Sequence, residues 1–459
     1  MTVLNQFVMR IPKSQSQAQP LSEMEGSVNI LTLGCDKNRV DSERLAAQLQ
    51  AAGYTVHLDD YNLPHPITII NTCGFINDAK EESVEVILDC VKEKQNGKIR
   101  KLIVFGCLSQ RYQEDLRSEI PEVDAWFGTD AIEQILYYLR SKIQPELLNR
   151  RLLSTPSHYA YLKISEGCNH GCAYCAIPLI RGRHRSKPAE QLLEEARLLA
   201  DKGVRELILV AQDLTSYGID LYHRRELAGL LEGLARIPQL HWIRLHYAYP
   251  NHFPMEVLDV MRDNPQICHY LDIPIQHIDD DILKRMNRNI TEKEIRLLLD
   301  TIRTRVPDIA LRTTLMVGFP GETRKKFEKL YAFAEEIRFD RMGVFTYSHE
   351  EDTLAYSLKN SISHLEKNRR KDEIMWLQQD ISLEKNRKML GKTFEVLIDS
   401  KQDGYYIGRT QYDSPEVDNC VILRQQANRC EIGKFYQVRI TRAHEYETNG
   451  KIITDTQPS

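Results

Sequence analysis

Gly167-Cys168-Asn169-His170-Gly171-Cys172-Ala173-Tyr174-Cys175 sets three cysteines at spacings of four and three, just past the strand-like run at residues 161–164. Thiolates packed this tightly in a reducing compartment point to a metal or iron–sulfur site rather than to disulfides. The number three matters. A four-iron cube held by three thiolates keeps one iron open to another molecule, whereas a structural zinc site wants four protein ligands. A zinc knuckle completed by His170 or His184 is the plainer alternative.

Outward from this stretch, residues 155–385 read as six β–α units. Strands are expected at 161–164, 206–210, 242–246, 270–273, 311–317 and 342–346, with helical stretches between them. Six units in about 200 residues favour an open, partial (β/α)6 barrel, whose functional groups gather at the carboxyl ends of its strands. The loops at those ends carry Thr215 and Ser216, Tyr247, Gln276 and His277, and the turn Gly318-Phe319-Pro320-Gly321-Glu322-Thr323. Arg181, Arg183 and Arg185 form a basic cluster after the cysteines, suited to an anionic partner or simply to solvent.

Residues 27–145 alternate short apolar strands with helices and predict a parallel α/β sheet. Cys35, Cys73 and Cys107 each follow a predicted strand by one or two residues, at separations of 38 and 34, and each has a glycine beside it. In a parallel sheet those positions share one edge, so the three can converge on a shared metal site, although buried cysteines also serve as small core residues. Residues 386–459 hold short β-like runs that favour a small antiparallel barrel. The charged helical run that leads into it reads as a solvated face.

The 459 residues are 42% hydrophobic and 27% charged, with a net charge of −4. That balance gives no general basic signature for nucleic acid. No apolar run is long enough to cross a bilayer, so a cytoplasmic chain is expected. Residues 1–26 read as a flexible polar extension.

Cys168-x-x-x-Cys172-x-Tyr174-Cys175, placed after the first strand of a partial barrel, resembles the signature of the radical S-adenosylmethionine enzymes. With Cys35, Cys73 and Cys107 in an amino-terminal α/β domain, the chain resembles the methylthiotransferase family within them. That resemblance implies two [4Fe-4S] clusters, one on each cysteine triplet, and S-adenosylmethionine as both methyl donor and radical source. It implies cofactor contacts at Tyr174, Thr215, Ser216, Gln276 and Gly318 to Thr323, and a terminal module like the TRAM domain. A sulfur donor and an electron-donor protein are implied as partners.

The segment 408–418 is similar to that of the branch acting on an aspartate β-carbon in a small-subunit ribosomal protein. On that reading Asp413, Glu416 and Asp418 form an acidic strip facing a basic substrate, with Arg181 and Arg183 as further substrate contacts. Residues 391–459 carry nine Lys plus Arg against ten Asp plus Glu, a balance of −1, which is poor for phosphate binding. A methylthiotransferase acting on transfer-RNA adenosine is the alternative within the family. A zinc-stabilised ribosome-binding module is the non-enzymatic one.

Overall fold

The computed structural model describes residues 26–61, 65–359, 361–424 and 430–454. The extension expected at residues 1–26 lies outside them except for Gly26. Two compact units are present: residues up to 154 together with Leu179–Arg181, and residues 155–178 with 182–459.

In the first unit, β1 (Ser27–Thr32), β2 (Thr55–Leu58), β3 (Ile67–Thr72), β4 (Lys101–Gly106) and β5 (Ala125–Trp126) form a sheet in the order β2-β1-β3-β4-β5. Every pairing is parallel. Such a sheet must be covered on both faces because its crossover helices run on both sides. The helices Asp36–Ala51 and Ile132–Tyr138 bury Leu45, Leu49 and Ile135 against Val28, Ile30 and Ile69 on one face. On the other, Ile87, Val91 and Leu108 pack on Leu31, Ile70 and Val104. The strand order reverses direction between β1 and β3, and a crevice opens at the carboxyl ends of strands at such a switch point.

The second unit begins with β6 (Tyr159–Lys163) and the two-residue ribbon pair β7 (Ser165–Glu166) and β8 (Arg185–Ser186). It continues with β9 (Glu206–Val210), β10 (Trp242–Leu245), β11 (Ile267–Asp272), β12 (Ala310–Val317) and β13 (Arg341–Thr346). β6, β9, β10, β11, β12 and β13 pair in that order, all parallel, into an open six-stranded sheet. This is the expected partial barrel.

The terminal module is a closed five-stranded barrel of β14 (Thr393–Gln402), β15 (Tyr405–Arg409), β16 (Cys420–Arg424), β17 (Phe435–Ala443) and β18 (Glu447–Thr454). It is not wholly antiparallel: β16 and β18 pair parallel, which closes the circle. Leu397 and Phe435 of this module bury against Trp242, Cys268, Tyr270 and Ala310, near the amino ends of the core strands.

Polar groups complete that junction. Arg409 Nη2 reaches Glu206 at 2.6 Å and its Nε reaches Asp399 at 2.6 Å, while Arg244 Nε holds the other Glu206 oxygen at 2.7 Å. Arg409, Glu206 and Arg244 are all but sealed from water. Removing one partner of a buried ion network leaves an uncompensated charge and costs about 3–5 kcal/mol. Arg409→Ala is therefore expected to lower the unfolding midpoint of the second unit sharply, measured by denaturant titration, without touching either cysteine triplet.

Candidate functional site

Cys168, Cys172 and Cys175 sit on a loop leaving the β7 ribbon and closed by backbone bonds. Cys168 N donates to Gly182 O at 3.1 Å, and Ala173 N donates to Met286 O at 2.9 Å. Asn287 Nδ2 reaches Gly171 O at 2.6 Å. Burial pushes the Cys168 thiol up to about 11 and the Cys175 thiol up to about 12, and the charge of neighbouring cysteines adds to both. Iron binding at such thiols releases their protons. Three cysteines on one loop, whose charges act on one another, with no fourth thiol in the loop, are the kind of donor set that a cluster with one open iron needs.

The surroundings fix this loop. His170, weighed above as a zinc ligand, instead places Nε2 2.8 Å from Asp213 Oδ2 and stacks on Tyr249 with ring centroids 3.7 Å apart. The Thr215 hydroxyl donates to Asp213 at 2.7 Å and the Ser216 hydroxyl at 2.5 Å. Burial raises the Asp213 carboxyl, but these donors and His170 outweigh it and hold it below the usual carboxylate range. Arg288 is buried, donates to Tyr174 Oη at 3.1 Å and lies 4.5 Å over the Tyr249 ring. Its cation acts on Cys168 and Cys175, opposing the effect of burial. Neither Asp213 nor Arg288 was singled out from sequence. No motif marks them, because their roles depend on the fold bringing separate loops together.

The turn after β12 is braced from behind. Gly318 N donates to Glu322 Oε2 at 3.0 Å, and Glu322 is ion-paired to Arg370 and lies 3.5 Å from His277 Nε2. Lys367 Nζ donates to Tyr347 O at 2.9 Å. Lys367 and Arg370 belong to the helix His364–Arg387, so its charged run is not only a solvated face. Phe319 packs with Ala173, Met286 and Tyr347, and meets Tyr174 edge-on at 6.5 Å. Pro320 is buried and Gly321 half-buried. Thr323 caps the helix Arg324–Ile337. Gln276 is 9% exposed with φ +72°, its backbone bonded to Thr314 and Met316. Glu322 is thus spent inside the turn, and Thr215 and Ser216 on Asp213.

The other three cysteines lie around the switch point of the first unit, near enough for their charges to act on one another. A Cβ on Gly34 would stand 2.6 Å from Cys73 Cβ, and one on Gly74 would stand 2.7 Å from Leu108 Cα. The loops after β1, β3 and β4 therefore touch, and only glycine permits it. Asn38 spans the crevice, donating to Leu33 O at 2.9 Å and to Thr72 O at 3.1 Å. Burial pushes Cys73 up to about 12 and raises Cys107, and Cys35 adds to both.

Arg181 requires a correction. Its side chain is 3% exposed, and it donates to Asp41 at 2.7 Å, to Asn38 at 2.5 Å and to Cys107 Sγ at 3.4 Å. It offsets part of the effect of burial on Cys107 and is enclosed rather than presented to a macromolecule. Arg183 and Arg185 are exposed.

The acidic strip is corrected as well. Asp413 is 3% exposed and ion-paired to Arg341. The Asp418 side chain is 2% exposed, held by Arg312 at 3.2 Å and Tyr270 Oη at 2.7 Å. Both fasten the terminal barrel to the amino ends of the core strands, where arginines from β12 and β13 need counter-charges. Glu416 alone of the three is exposed, and it accepts from Tyr159 Oη at 3.2 Å.

The open six-stranded sheet with a cysteine triplet on its first loop defines a radical S-adenosylmethionine enzyme, and the model of that superfamily matches residues 162–334. Such a domain takes an iron–sulfur cluster and S-adenosylmethionine. A model described as the uncharacterized protein family UPF0004 matches residues 27–128, and one of the TRAM domain matches 390–453. The chain is 50% identical over 426 residues to the ribosomal protein uS12 methylthiotransferase RimO of Cytophaga hutchinsonii, covering 93% of this chain and 98% of that one. The protein of the same name from Christiangramia forsetii is 50% identical over 430 residues, covering 94% and 95%. The chain belongs to the ribosomal protein uS12 methylthiotransferase family.

Among solved structures, the radical S-adenosylmethionine methyltransferase TsrM from Kitasatospora setae matches with a TM-score of 0.50 at 14% identity, over 70% of this chain and 72% of that one. The cobalamin-dependent radical enzyme OxsB matches at 0.51 and 12%, over 76% and 56%. These two show the fold alone. Among the described residues no helix is long and apolar enough to cross a membrane.

Proposed function

We propose that this chain is a cytoplasmic methylthiotransferase that adds a methylthio group to the β-carbon of an aspartate in ribosomal protein uS12. One molecule of S-adenosylmethionine serves as methyl donor and another as radical source. Cys168, Cys172 and Cys175 hold the [4Fe-4S] cluster of the radical domain, and Cys35, Cys73 and Cys107 hold a second. When bound, these groups supply an electron for cofactor cleavage and a site for sulfur, which a separate donor and an electron-donor protein replenish. The observation that supports this reading is the contact between the loops that bear Cys35, Cys73 and Cys107 at the switch point, in the same chain that bears the radical-domain triplet.

The remaining residues bind, orient and exclude water. Tyr174 and Phe319 provide an apolar wall beside the triplet, and Gly318, Pro320, Gly321 and Thr323, in the same turn as Phe319, are the proposed backbone contacts for the cofactor. Gln276 offers a polar side chain on the neighbouring loop. Arg288 faces the thiolates with a buried positive charge, which favours an anionic cluster and a cofactor carboxylate near it. Thr215 and Ser216 act through Asp213, which holds His170 and hence the loop. In the first unit Arg181 plays the part of Arg288, stabilising thiolate at Cys107. Arg183, exposed as Arg185 is, is the arginine through which substrate is met. Burial of Asp413 and Asp418 removes the acidic strip as an argument for a protein substrate. The −1 balance of the terminal module and the family membership remain as its support.

Anaerobic reconstitution followed by iron and sulfide analysis tests the two-cluster reading. The wild-type chain is expected to load about eight irons, and a triple alanine variant of either triplet about four. Two zinc ions and no sulfide would contradict it.

A further inference from the structure

The first unit carries a second cluster of ligand-type side chains that the methylthiotransfer reading leaves unused. His57 lies near the end of β2, the edge strand, and Asp60 and His65 lie on the connection from β2 to β3. One ligand atom from each lies within 4.8 Å of the others. The two imidazole rings stand 4.3 Å apart at 37°, and His65 Nε2 is 3.1 Å from Asp60 Oδ2.

Support behind these atoms is also present. His65 Nδ1 is 2.9 Å from Ser27 Oγ. A serine hydroxyl both donates and accepts, so it suits His65 whether Nε2 carries a proton or gives it up to a metal. A ligating histidine almost always has such a partner on its other nitrogen. The Asp60 backbone is fixed in turn, its N–H donating to Asn29 Oδ1 at 3.3 Å and its carbonyl accepting from Asn29 Nδ2 at 2.7 Å. The His65 side chain has no exposure, while that of Asp60 has 21%, so the cluster is backed on one side and open on the other.

We propose that His57, Asp60 and His65 form a binding site for a divalent transition ion, zinc above all, with water as its fourth ligand. Two imidazoles and a carboxylate suit zinc, and the open position follows from having three protein ligands. Ser27 opens β1 whereas Cys35 lies beyond its far end, about 20 Å away along the strand, so this site is separate from the cysteines. Its role is structural: the ion ties Asp60 and His65 to His57 on β2, which among the described residues is an edge strand with one side unpaired.

The test uses the full-length, cluster-loaded protein, to which zinc is added before removal of excess by gel filtration. Wild type is expected to retain about one zinc more than His57→Ala or His65→Ala at equal iron content. His57→Asn, a milder change on the same strand, is expected to lose it too. Cobalt in place of zinc is expected to give ligand-field bands in wild type, without the thiolate charge-transfer absorption that binding at a cysteine triplet produces. Equal zinc in wild type and all three variants, or a cobalt spectrum accounted for by thiolate alone, would overturn the proposal and leave a plain His65–Asp60 hydrogen bond. Neither result bears on the iron content that tests methylthiotransfer.

Discussion

Cys172→Ala is expected to lose reductive cleavage of S-adenosylmethionine by at least about 100-fold, because even the partners that only orient metal ligands contribute 10- to 100-fold. The variant leaves two sulfurs on a loop whose path is set by other bonds: Gly182 O, Met286 O and Asn287 Nδ2 hold it independently of Cys172. The fold should therefore survive while the cluster does not. Circular dichroism identical to wild type, together with loss of 5'-deoxyadenosine formation under dithionite, is the expected pair of results. Retained cleavage would show that the triplet is not the ligand set.

Cys73→Ala is expected to separate the two halves of the reaction. Cleavage of S-adenosylmethionine should persist near the wild-type rate, while transfer of a methylthio group to substrate falls below detection. The side chain sits at the point where the loops after β1 and β3 touch, and Gly34 packs directly on it. Alanine keeps the Cβ that Gly34 meets and removes only sulfur, so the crevice keeps its shape. Iron content is the internal control: the variant should retain the iron of one cluster. Equal loss of both activities would mean that Cys73 acts on the fold rather than as a ligand.

Much of this architecture was legible because its signals are local. Alternating apolar runs and helical periods marked four of the five strands in the first unit and all six of the core sheet. β2 was missed because Thr55-Val56-His57-Leu58 is short and lies at an edge, where it is only half-buried. β18 was missed for a related reason: Glu447-Thr448-Asn449-Gly450-Lys451 is polar, and its parallel partner β16 is distant in sequence. The shared edge of Cys35, Cys73 and Cys107 was legible because the places after β1, β3 and β4, neighbours in one parallel sheet, lie on one side of it.

What sequence hid was pairing between distant charges. Asp413 and Asp418 look like a solvated strip until Arg341 and Arg312 are seen to need them, some 70 and 106 residues away. Arg181 read as one member of an exposed basic run, yet only Arg183 and Arg185 of that run are exposed. Asp213 and Arg288 gave no signal because their partners come from other β–α units. Substitutions at Asp413 or Asp418 should consequently appear as lost stability rather than as weakened substrate affinity.

The most direct test of the account is to incubate the reconstituted enzyme with ribosomal protein uS12 and, separately, with transfer RNA, then to weigh the resulting peptides and nucleosides. One uS12 peptide, containing an aspartate, is expected to gain the mass of SCH3 in place of hydrogen, with the transfer RNA unchanged. The same gain on an adenosine, with uS12 unmodified, would contradict it.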